Sequence, residues 1–181
     1  MASHRSDVFH FLALAVRLLF PMALLADAKL DALIVYGEGF AFTVKEPAGW
    51  HGETETAAQY SSNVLFYPKS ATTIAPTPVI RVSVVDKTDE HIEHDLDADL
   101  KGYRDQHPVA IYNSLAVSHP VYNVVSKIFV VPHVSFEYVT YVNPGPTKNL
   151  IFSIAMNTRN VEATETELRA YRAVIASLNM L

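Results

Sequence analysis

Phe40, Phe42 and Val44 alternate with Ala41, Thr43 and Lys45, giving one apolar edge of period two. That alternation predicts a half-buried strand. Pro47, without an amide donor, ends it, Gly49 permits a turn, and Trp50, the only tryptophan, follows directly. The β-branched run Leu33-Ile34-Val35-Tyr36 precedes it across Gly37-Glu38-Gly39, so the two runs predict a hairpin. Residues 53–60 are polar and predict a loop with one helical turn. Asn63 to Tyr67 is the next strand, stopped by Pro68, and the Ser-, Thr- and Pro-containing residues 70–78 make a surface connection. In Val79 to Val85, Ile80, Val82 and Val84 share one side while Arg81 and Ser83 share the other.

The period then changes. Ile92, Leu96, Leu100 and Tyr103 recur at helical spacing, with acids crowding the first turns and Lys101 and Arg104 near the end. A helix from about Asp89 to Gln106 follows, with a start as late as Glu93, and Pro108 prevents its continuation. Four further strands are predicted at Ile111–Ser118, Tyr122–Val131, Val134–Asn143 and Leu150–Asn157, with short Pro-containing connections that favour antiparallel pairing. Thr164-Glu165-Thr166-Glu167 is a capping-box pattern ahead of Leu168, Tyr171, Val174, Ile175 and Leu178, which predicts a second amphipathic helix running to the carboxyl terminus. Strands and two helices without regular βαβ alternation define an α+β class: a mostly antiparallel sheet flanked by two helices.

The phrase Gly39-Phe40-Ala41-Phe42, then Pro47-Ala48-Gly49-Trp50, resembles the opening of PsbP-like domains. The order of elements over most of residues 39 to 180 is similar to the α/β/α sandwich of PsbP and of the Ran-binding Mog protein. The resemblance implies that fold. It implies little chemistry, because such domains serve in photosystem assembly, in nuclear transport and as secreted bacterial proteins, and a fold is not a site.

Composition narrows the function classes. A chain of 181 residues, half of them hydrophobic, is of one-domain length and can bury a core. A net charge of −5 without clustered Lys and Arg argues against a nucleic-acid partner. The absence of cysteine excludes disulfides, zinc–thiolate sites, thiol catalysis and a lipobox anchor. Arg5 and Arg17, the uncharged run Leu18 to Ala26 and the small residues of Ala26-Asp27-Ala28 have the layout of a secretory leader. The expected organisation is a signal peptide over residues 1–28 and a single domain over 29–181 in the periplasm or secreted, with no stable membrane anchor once the leader is cleaved. The run after Arg17 is too short to span a bilayer.

Two constellations carry candidate chemistry. Asp89 to Asp99 is rich in His and Asp, and His91, His94 and Asp95 are the residues that would hold zinc or manganese. His-Ile-Glu-His matches no zinc-protease helix, however, and a solvated helix start that uses its dipole explains the acids equally well. The second set follows from strand parity. Arg81, Lys127 and Glu137 are placed to line a polar floor beneath Tyr67, Tyr138 or Tyr141, with Trp50, Tyr67 and Tyr138 as an aromatic wall. Scattered rim charges with one cross-sheet ion pair would look the same in sequence. No phosphate-binding glycine loop, nucleophile elbow or separated nucleophile–base pair is present, and Ser118-His119 are neighbours whose side chains diverge on a strand. The expectation is a non-catalytic module with no cofactor that recognises an envelope protein or small ligand. The alternative is a divalent-metal-dependent protein or enzyme.

Overall fold

The computed structural model describes residues 32–71, 78–146 and 148–181. The expected leader over 1–28 lies outside them. Among the described residues ten strands, two α-helices and a short 3₁₀ turn follow one another: β1 (Leu33–Gly37), β2 (Phe40–Val44), β3 (Trp50–Glu53), the turn Ala57–Tyr60, β4 (Val64–Pro68), β5 (Val79–Asp86), α1 (Ile92–Gln106), β6 (Ile111–Ser114), β7 (Asn123–Val131), β8 (Ser135–Asn143), β9 (Leu150–Asn157), α2 (Glu165–Ser177) and β10 (Asn179–Met180). A seven-stranded sheet runs β3-β4-β5-β9-β8-β7-β6, and β1-β2-β10 form a smaller one. Every pairing is antiparallel. The α+β class expected from the patterning is the class observed.

Two layers sandwich the large sheet, and strand parity decides which side chain meets which. Ile80, Val82, Phe152, Ile154, Met156 and Tyr138 point to one face. There they pack with Tyr171, Val174 and Ile175 of α2 and with Phe42 of the small sheet. The Phe42 ring meets Phe152 edge-on with centroids 5.1 Å apart. On the opposite face Ile92 and Leu96 of α1 pack on Phe129, Val139, Tyr141 and Ile151, with Leu100 and Tyr103 alongside. This second core is thinner, because α1 packs mainly over β7 and β8.

Local signals set the boundaries. Thr164 caps α2 in both directions: its hydroxyl accepts from Glu167 N–H while its own N–H donates to the Glu167 carboxylate. The helix does not run to the end of the chain as its stripe suggests. It stops at Ser177, and Asn179–Met180 leave it to pair with β2. Trp50 also behaves differently from a turn anchor, since it opens the short strand β3 after the turn closed by Trp50 N–H on the Pro47 carbonyl. The leading hairpin does not extend the main sheet. Gly52 allows it to approach, because a Cβ there would lie 2.6 Å from Leu33 Cδ1 and 2.7 Å from Phe66 Cε1.

Candidate functional site

Where α1 leaves β5 and part of β9 uncovered, a trough opens between helix and sheet. One part has a volume of about 360 Å³ and is floored by Arg81, Glu137, Ser153 and Ala155, with Tyr103 and Tyr60 at its sides. A second part, of about 440 Å³, continues toward the helix start and is lined by Asp95, Thr88, Tyr141 and Ile151. Ser61, Ser83, Ala98, Asp99 and Ser153 belong to both parts. The size lies in the ordinary range for small-molecule sites.

The register brings these groups together. Arg81 lies opposite Ala155, Ser83 opposite Ser153, and Ser153 opposite Tyr141, so one face of β5, β9 and β8 supplies the floor. Arg81 donates to Glu137 across 2.9 Å, with the Glu137 side chain 18% exposed. Burial pushes the Glu137 carboxyl above its ordinary value, and the attraction of Arg81 offsets only part of that. The pair is therefore held by its setting and adds little stability itself. The Tyr141 hydroxyl donates to Asp99 Oδ2, and burial together with that bond pushes the phenol far up, so it remains protonated. Asp95 is 8% exposed; its Oδ1 accepts from Thr88 N–H at 2.8 Å, and its Oδ2 has no hydrogen-bond partner.

The structure divides the sequence candidates. Arg81 and Glu137 meet, as strand parity requires. Lys127 lies in the same cross-strand row as Arg81, with β9 and β8 between them, and donates to Ser114. Tyr67 is on the same face but is occupied in donating to Glu53 at 3.0 Å. Trp50 and Tyr138 form no aromatic wall. Both are buried in the core beneath α2, where the Tyr138 hydroxyl accepts from Ala163 N–H. Tyr138 is adjacent to Glu137, so the two side chains must leave the strand on opposite faces. Of Tyr67, Tyr138 and Tyr141, the one that lines the trough is Tyr141, which shares parity with Glu137.

The metal candidates do not converge. His94 Nδ1 lies 2.5 Å from Asp89 Oδ2, a bond that raises the imidazole pKa and lowers that of the carboxyl. The rings of His91 and His94 sit 5.5 Å apart on the exposed side, while Asp95 turns to Thr88 and the trough. Among the described residues no three His, Asp or Glu side chains meet as a metal-binding group. Asp99, Ser153, Tyr103 and the serines after the 3₁₀ turn belong to the site although the sequence did not single them out for it.

Fold and site define a small α+β protein with a polar trough beside one helix. In sequence the chain matches no family model and no curated protein. In structure it is similar to LpqN of Mycobacterium tuberculosis, described as involved in cell envelope biogenesis, with 12% identity and a TM-score of 0.55 over 82% of this chain and 90% of that one. It is also similar to cyanobacterial PsbP (CyanoP) of Synechocystis sp. PCC 6803, with 13% identity and a TM-score of 0.48 over 89% of this chain and 99% of that one. At such identity the likeness to LpqN is one of fold. Among the described residues no helix is long and apolar enough to cross a membrane.

Proposed function

We propose that this chain is an extracytoplasmic, non-catalytic binding module that takes a small polar ligand in the trough beneath α1. The observation that carries the reading is the state of the polar groups there. Arg81 is engaged with Glu137, Asp99 with Tyr141, and Ser83 with the Ser61 carbonyl at 3.1 Å. Fixed partners hold side chains in one geometry before a ligand arrives, which lowers the ordering cost of binding. Serine hydroxyls and an open ion pair suit recognition of hydroxyl and charged groups. The leader pattern at the amino terminus supports an export route, and the fold shared with LpqN is compatible with an envelope role.

The reading is tested by thermal melting of the full chain against a panel of small polar metabolites, beside a Ser153→Trp variant that fills the trough. The expected result is a melting shift with a subset of compounds that disappears in the variant. No shift with any compound, or shifts that survive in Ser153→Trp, would sink it.

A further inference from the structure

We propose that the end of the trough nearest the start of α1 binds the ammonium group of a hydroxylated amine, with Asp95 and Asp99 as its two carboxylate partners; the inference rests on the trough being a ligand site. Asp95 and Asp99 are four apart on α1, so they stand side by side on one helix face. Both line the same part of the trough. Asp99 already has a donor in Tyr141, whereas Asp95 Oδ2 is enclosed and unmatched. A buried carboxylate oxygen without a donor is costly, and a charged donor relieves the cost best.

The obvious internal cation does not fill this role. Burial holds the Lys87 pKa below its ordinary value, the Asp95 charge offsets only part of that, and the lysine Nζ donates to the Gly145 carbonyl at 2.7 Å. The enclosed oxygen is therefore left without a donor among the described residues, and an ammonium group entering this end of the trough would supply one.

The chemistry of the lining selects the class of donor. An ammonium group carries three N–H donors. Asp95 Oδ2 and Asp99 can accept two of them, and a serine hydroxyl can accept the third. A divalent ion fits less well: calcium takes about six to eight oxygens, several of them charged, and among the described residues two carboxylates line this end. Ser83 and Ser153, shared by both parts of the trough, then face whatever the amine carries, and rotatable hydroxyls match a polyol. Arg81 and Glu137 at the far end supply both a donor and an acceptor for its remaining hydroxyls. An amino sugar or amino alcohol combines these features.

The test is an amide-detected NMR titration of the full chain with glucosamine and, in parallel, with glucose. Glucosamine is expected to move the amides of Asp95, Asp99 and Ser153 and to bind at least about tenfold more tightly than glucose, the effect of one charge-assisted bond. Asp95→Asn keeps an oxygen for Thr88 N–H and should melt near the parent while binding both sugars alike; Asp99→Asn should weaken glucosamine in the same direction. Equal binding of the two sugars by the parent overturns the inference and leaves the trough as a site for neutral ligands. A preference for glucosamine that survives in Asp95→Asn overturns it, as does calcium chloride moving the same amides more tightly than glucosamine. If neither sugar moves these amides the inference falls, and the melting panel on Ser153→Trp separately decides whether the trough binds anything.

Discussion

His119 Nε2 lies 2.9 Å from the Leu178 carbonyl, and its Nδ1 accepts N–H groups from both Val121 and Tyr122, at 3.1 and 2.9 Å. Two incoming donors place the lone pair on Nδ1, so the ring proton sits on Nε2 and is donated to Leu178. Tyr122 stacks on the imidazole with centroids 4.5 Å apart, and its hydroxyl accepts from Met180 N–H and reaches Asn179 Oδ1. Imidazole and phenol together tie residues 178–180, and so β10, to the segment 119–122. His119→Ala should destabilise the fold by about 1 to 3 kcal/mol, as several backbone groups lose partners. Hydrogen exchange at residues 178–181 should accelerate by more than the global loss, and unchanged exchange there would refute the clamp.

Glu137 and Glu53 should respond to pH with opposite signs. Burial raises the folded-state pKa of Glu137 above 4.5, so the folded state binds more protons through that window. Its contribution to stability is greatest below 4.5 and is lost as pH rises through the raised value. Glu53 accepts from the Thr56 hydroxyl and N–H and from Tyr67, and the Thr56 hydroxyl is the main cause of its lowered pKa. Its contribution is present above 4.5 and is lost as pH falls through the lowered value. Urea unfolding from pH 3 to 8 (a span of about five units) should show parent minus Glu137→Gln falling with pH and parent minus Glu53→Gln rising. Two curves of the same slope would contradict the assignment.

Tyr171 is fully buried, with its hydroxyl 2.8 Å from Thr140 Oγ1 and 3.0 Å from the Ile154 carbonyl. Burial drives its pKa far up, and the phenol remains a neutral donor. Tyr171→Phe keeps the ring but removes one hydrogen-bond partner of the buried Thr140, and should lower stability by about 1 to 3 kcal/mol without disturbing the trough on the opposite face. A neutral substitution would mean that Thr140 is satisfied by Ser126 alone, which lies 2.7 Å away.

Gly52→Ala forces a methyl group into the space held by Leu33 and Phe66. Overpacking of this kind costs about 1 to 3 kcal/mol. Leu33→Ala in the same chain should recover part of the loss, because the Leu33 methyl is one of the two atoms in the way. A double variant no more stable than the simple sum of its parts would place the strain elsewhere.

Period-two and helical patterning located most strands and both helices because those elements bury one clear face. The missed strands carry no such signal: β3 reads Trp-His-Gly-Glu, and β10 is two residues long. Which strands form a second sheet depends on packing between Phe42 and Phe152, residues far apart in the chain. Arg81 and Glu137 were legible as partners, since parity places both on the polar side of their strands. The same parity separates Tyr138 from Glu137, a rule that the proposed aromatic wall overlooked. Asp99 was hidden among the acids of α1, because a solvated helix start and the lining of a trough read alike until the helix is placed over the sheet.

Alternation along β8 has a consequence for how this protein can change. Glu137, Val139 and Tyr141 belong to the trough side, whereas Tyr138, Thr140 and Val142 serve the layer beneath α2. Substitution at Glu137 can therefore alter ligand preference, while Val139 and Tyr141 also hold the core beneath α1 and the even-numbered positions hold the layer beneath α2. A one-residue slip of the strand would exchange both roles at once, so change by substitution is open to this lineage and change by insertion within β8 is not.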